Sequence, residues 1–197
     1  MDSDLAEAVA ALKDIFGRRN IPATFGKADA ALVEELRKSF RIPARFRAFL
    51  LAADPTDVET VTPVERIRLI PSDRLAAEQV GFGVADDGTP AVPGWRKTWV
   101  VIGRSALLGD PYFLDVSKLD AEGDCPVFTT MTGTDSLKPE LCASSFQQLL
   151  RILATGMEVA TGFGESFDDD DESIFREALA PKIKTIDAAA LRAGHWT

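Results

Sequence analysis

The amino-acid sequence predicts an α+β fold: a mostly antiparallel sheet with helices packed on one side. Three observations predict it. Apolar residues recur at helical spacing from residue 5 to residue 50. The middle of the chain holds short alternating or continuously apolar runs separated by turn residues. Helical spacing then returns at Ser144.

Leu5, Val9, Leu12 and Phe16 form one face of a first helix, with Asp2 or Ser3 to cap it and Gly17 to stop it. Asp29 caps a second, whose face is Leu32, Val33, Leu36 and Phe40. In "RIPARFRAFLLAADP" Pro43 fits a first helical turn, Phe46, Phe49 and Leu50 make the stripe, and Asp54-Pro55 ends it. Arg66 to Pro71 alternates as a strand does, and "SDRLAAEQVGFG" is a short capped helix closed by glycine. "ADDGTPAVPG" has the composition of an exposed loop.

Trp99 to Ile102 is continuously apolar, as in a strand covered on both faces. Further strands run from about Tyr112 to Val116 and from about Pro126 to Thr132, joined through the hairpin-type loop "SKLDAEGD". Ser144 with Gln147 fits a capping box, ahead of a helix carried by Phe146, Leu149, Leu150 and Leu153 and closed by Gly156. Residues 1–156 therefore read as the main domain. Residues 157–197 read as an acidic C-terminal extension, docked or mobile, with nine acidic residues against four Lys and Arg. Short helices fit there at about Glu172–Leu179 and Asp187–Ala193.

The 22 Lys and Arg against 31 Asp and Glu leave a formal charge of −9. Phosphate backbones are bound by basic footprints, so nucleic acid is not the expected partner; the acidity permits a basic partner, and on charge alone it reads first as a means of keeping the protein soluble. No apolar run is long enough to span a membrane, and the acidic start is unlike a signal peptide. The expectation is a soluble cytoplasmic protein, with Cys125 and Cys142 as free thiols.

The residue types that carry chemistry are sparse. His195, the single histidine, stands near the end of the sequence, where chains are commonly mobile. No phosphate-binding glycine loop or Cys/His metal spacing occurs, and no metal or cofactor is expected. Asp110 and Asp115 are five residues apart, which places them on opposite faces of a strand. Gly109-Asp110-Pro111 is turn chemistry, and both carboxylates read as architectural. The run Asp168, Asp169, Asp170, Asp171, Glu172 reads as a solvated tail entering a helix N-terminus, with protein binding as its functional alternative. Trp99 reads as core, whereas Trp95 follows "AVPG" in a loop and could be an interface anchor.

The stretch from Trp95 through "WVVIGRSALLGDPYFLDV", then "GDCPVF" and "PELCASSFQQLL", resembles the SMI1/KNR4 family, also called the SUKH superfamily. "RIPARFRAFL" is similar to that family's early helix, and the resemblance covers roughly residues 30–155. Here "AADPTDVET" stands where the family has a glycine-rich turn. The resemblance implies a SUKH-like α+β domain that is not an enzyme. Trp99, Gly109, Asp110, Asp115, Ser144 and Phe146 fall in its structural motifs, and it brings no catalytic set. Many bacterial members resemble immunity proteins that neutralise a cognate polymorphic toxin, often a nuclease or deaminase. Fungal members look like regulatory scaffolds.

Three functions compete. The first is an immunity protein whose acidic surface occludes a basic toxin domain, with Asp86, Asp87, Trp95 and Asp168 to Glu172 as contact residues. The second is an intracellular scaffold. The third is a metal-assisted hydrolase built on Asp110, Asp115 and the acidic run.

Overall fold

The computed structural model describes residues 1–83, 92–133, 136–163 and 169–197. The first helix, α1 (Ser3–Arg18), starts where the Asp2 carboxylate accepts from Leu5 N–H, and it buries Leu5, Val9, Leu12 and Phe16. The second, α2 (Ala30–Phe40), starts at Asp29, which accepts from Ala31 and Leu32 N–H. Pro43 stands one residue ahead of α3 (Ala44–Ala53) rather than inside it. The chain after α3 is strand, not a simple stop. It forms β2 (Asp54–Thr56), antiparallel to β1 (Thr24–Gly26).

The main sheet has five antiparallel strands in chain order: β3 (Ile67–Leu69), β4 (Trp99–Ser105), β5 (Pro111–Asp115), β6 (Val127–Thr129) and β7 (Glu140–Ala143). Every residue of β5 is buried, including Tyr112 and Asp115, whose polar groups are hydrogen-bonded. The face bearing Phe113 is covered by aromatic rings. Trp99 lies 4.7 Å and Trp95 5.0 Å from the Phe113 ring, with Phe82 beyond Trp95. The register of β4 on β5 slips between Val101 and Gly103. At that bulge the Gln79 amide donates to Val101 C=O and accepts from Val101 N–H, so the local backbone stays satisfied.

The helix α4 (Ser72–Glu78) lacks the local side-chain cap expected for it. Its start is held from β2 instead: Asp54 accepts from Ser72 N–H at 2.8 Å and from the Ser72 hydroxyl at 2.7 Å.

The helix α5 (Phe146–Val159) packs on α1, α3 and β7. Its local cap is Ser145, which accepts from Gln148 N–H, and not Ser144. The difference arises because Ser144 N–H donates at 2.6 Å to Asp187 of the C-terminal segment, which holds Ser144 outside the helix. A second acceptor reaches the same helix end from afar. Asp124 is fully buried and accepts from Cys125, Phe146 and Gln147 N–H at 2.8, 3.0 and 3.1 Å. Gly156 does not close α5. It lies buried within the helix, where a Cβ would make ordinary contact with Thr62 at 3.6 Å and Phe175 at 4.0 Å.

The described residues 169–197 pack onto the rest of the chain. They form α6 (Asp169–Ile186), against α5, and α7 (Ala188–Ala193), against β7. The expected break near Leu179 is overridden, for α6 runs through Pro181. An interior proline costs about 3 kcal/mol. Phe175, Leu179 and Ile183, spaced by four, are all buried along one face and offset that cost. Trp196 is buried too, its indole N–H donating to Cys142 C=O at 2.8 Å.

Gly123, in the hairpin-type loop, has φ +75, and a Cβ there would stand 3.0 Å from the Ala44 Cβ. Gly123→Ala is expected to destabilise the fold by about 2 kcal/mol, through the left-handed backbone and the contact with α3. Urea denaturation checks this, and an unchanged midpoint would contradict it. Among the described residues no helix is long and apolar enough to cross a membrane.

Candidate functional site

Two clefts flank the turn between β4 and β5. That turn is tightly bonded. Ser105 N–H donates to Asp110 C=O at 2.8 Å, Gly109 N–H to Ser105 C=O at 2.9 Å, and Ala106 N–H to Arg66 C=O at 2.7 Å. Gly109 takes φ +78, the left-handed conformation that closes the turn. The Asp110 carboxylate accepts from Thr132 N–H at 2.9 Å and its hydroxyl at 3.1 Å, tying the turn to the segment after β6.

On one side lies a cleft of about 400 Å³. Glu65, Asp110 and Glu140 contribute carboxylates to its lining, against one ammonium from Lys138, with Leu108 and Met131 as apolar wall. Its floor holds a bonded chain of polar groups. The buried Tyr112 hydroxyl donates to Glu65 at 3.1 Å and lies 3.1 Å from His195 Nε2. A phenol has one proton, and Tyr112 gives it to Glu65. Its oxygen therefore accepts from His195, which assigns the imidazole as the Nε2–H tautomer. Burial, with the charge of Arg176 adding to it, lowers the His195 pKa to about 4, so the ring is neutral at pH 7. Burial likewise pushes the Tyr112 hydroxyl well above its usual range. The cleft therefore carries negative charge around a neutral hydrogen-bonded floor.

On the other side of the turn a cleft of about 270 Å³ is lined by Arg68, Arg74 and Arg104. Glu78 pairs with Arg104 at 2.6 Å and with Arg74 at 3.2 Å, and Arg68 pairs with Glu59 at 3.0 Å. One carboxylate thus serves two guanidiniums within the cleft, which leaves that side positive.

The residues singled out in sequence scatter over the molecule. Trp95 is not an exposed anchor. It is only 8% exposed, and its indole N–H donates to Trp99 C=O at 3.3 Å inside the aromatic layer, because its ring completes the cover over Phe113. Asp115 is buried, accepting from Ser117 N–H at 3.2 Å and its hydroxyl at 2.6 Å. Phe146 is core against Phe46 and Phe49. Asp86, Asp87 and Asp168 lie outside the described residues, as do the side chains of Asp169 and Asp170. Asp171 lies in the first turn of α6, and Glu172 pairs with Arg176 at 3.0 Å. Both cysteines are free and buried, and burial pushes both thiols up, away from the reactive thiolate. Among the described residues no group of three or more His, Cys, Asp or Glu could hold a metal ion.

Glu65 and Glu140 carry no signal as site residues in the sequence, and His195 reads there as part of a mobile end. Glu65 belongs to no motif, and Glu140 stands within "PELCASSFQQLL" with no role assigned to it. His195 is not mobile, because Trp196 beside it is held in the core and Arg176 donates to His195 C=O. The aromatic-flanked "GHW" behind the helix of α7 was the available signal. No protein-family model and no curated protein matches this chain in sequence.

Proposed function

We propose that this chain is a non-enzymatic, SMI1/KNR4-type protein-binding domain, acting in the cytoplasm as an immunity protein that occludes a basic toxin domain. The observation that carries the reading is the open, carboxylate-lined cleft beside the β4–β5 turn on a chain of net charge −9. Negative potential in a cleft attracts and orients cationic partners. The groups that could do covalent or acid–base chemistry support the same reading, since each is already engaged within the fold. Asp110 and Asp115 hold loops, His195 is neutral against Tyr112, and the two thiols are buried.

The test is affinity purification of the tagged chain from its own host, at about 50 mM and about 500 mM salt, with partners identified by mass spectrometry. A single stoichiometric basic protein is expected at low salt. It should be toxic when expressed alone, harmless when co-expressed with this chain, and bound at least tenfold more weakly at high salt. Several non-toxic partners would replace immunity with a scaffold role.

A further inference from the structure

We propose that the β4–β5 turn is the docking element, and that its occupant is a protein loop presenting a lysine or arginine beside an apolar side chain. The basic head enters the carboxylate cleft and the apolar neighbour covers Leu107 and Leu108. This rests on the protein-binding reading above and names the surface and chemistry of the contact.

The two leucines are 61% and 75% exposed, and Met131 across the cleft is 66% exposed. They are not presented by a loose loop. Five hydrogen bonds pin the turn: the three backbone bonds already given, the bond from Leu108 N–H to the Ser105 hydroxyl at 3.1 Å, and that hydroxyl's own bond to Glu65 at 2.9 Å. A turn whose backbone is already held does not have to be ordered on binding, which lowers the cost of using the two leucines as interface anchors.

Charge then chooses the occupant. Leu108 and Met131 belong to the same cleft as Glu65, Asp110 and Glu140, so an apolar contact there delivers its neighbouring head group onto three carboxylates. Glu140 is 59% exposed and is the outermost of them to pair with an incoming cation. The cleft of about 400 Å³ lies in the size range of natural ligand sites and admits one long side chain with its hydration. Arg68, Arg74 and Arg104 behind the turn give the ridge a polarity. A bound segment is expected to run with its basic side chain over the carboxylates and any acidic one over the arginines.

Backbone amide NMR of the full chain, titrated with acetyl-Leu-Arg-Leu-amide and with acetyl-Leu-Glu-Leu-amide, tests this. The basic peptide should shift the amides of Leu107, Leu108, Asp110, Met131 and Glu140, and the acidic one should leave them unmoved. The double variant L107S/L108S should weaken the basic peptide at least tenfold and E140Q about threefold, with the remaining spectrum unchanged. Shifts by the basic peptide centred elsewhere, or affinities the same in both variants, would overturn the docking face. Once a toxin is in hand, full neutralisation by L107S/L108S would overturn this face alone and leave the protein-binding reading standing. Localised peptide shifts without any toxic partner would sink the immunity reading and leave the face.

Discussion

Asp124→Ala is expected to lower stability by about 4 kcal/mol and the melting temperature by about 10 °C. The carboxylate is fully buried and accepts from three backbone N–H groups, two of them at the start of α5. Removing it leaves buried donors without partners, at about 1–3 kcal/mol each. Ser145 still caps Gln148 N–H, so the helix survives with its first turn unsatisfied. Burial pushes the Asp124 carboxyl above its usual range despite those donors and the nearby Arg45. The net charge is therefore less important than the geometry of the two oxygens. Asp124→Asn should accordingly fall between the native chain and the alanine variant. It keeps one acceptor, but where its NH₂ replaces the other oxygen it faces a backbone donor. Thermal and urea denaturation of both variants check this, and equal losses in the two would refute the geometric account.

The second large effect is with pH. The folded pKa of His195 is about 4, against 6.5 for the free side chain. Between those values the unfolded chain holds a proton that the folded chain excludes. The contribution is thus fully present above pH 6.5 and is lost as pH falls towards 4. The loss should be about 2.5 kcal/mol by pH 4.5. The groups around the ring are Tyr112 from β5, Glu65 behind it, Glu140 from β7 at 4.0 Å, and Arg176 from α6. Asp2, Glu34, Asp115 and Glu158, all with lowered pKa values, act in the same direction but at lower pH. His195→Gln retains a donor for Tyr112 and removes the titration. Stability curves measured between pH 7 and 4.5 should drop for the native chain and stay within about 1 kcal/mol for the variant. Parallel curves would show that another group carries the acid sensitivity.

Neither effect is legible in the linear pattern, where Asp124 reads as a loop residue and His195 as part of a mobile end. α1 and α2 were legible because their apolar spacing and their Asp caps are local, and β4 because Trp99 to Ile102 is continuously apolar. The local pattern points to Ser144 as the cap of α5 because the true organisers, Asp124 and Asp187, are 22 and 43 residues from the helix-start groups they bind. Glu140–Ala143 has neither strand alternation nor length, and it becomes β7 only by pairing with β6. Trp95 follows loop residues, and only the fold turns it onto Phe113. The candidate cleft was almost wholly hidden. Its carboxylates come from residues 65, 110 and 140, which nothing in the linear pattern connects.

The order of the strands also governs how the chain reaches this state. Each strand of the five-stranded sheet pairs with its predecessor in sequence, and from β4 to β7 the connections are short, so that part of the layer can assemble by closing short loops. The packing of α1 on α5 is the opposite case, since its Arg18–Glu158 bridge joins residues 140 apart. Closing that loop carries the larger entropy penalty, and the first helix is the natural last arrival at a sheet already formed. Substitutions in α1 should then hasten unfolding far more than they slow folding, which makes that helix the determinant of the protein's kinetic lifetime.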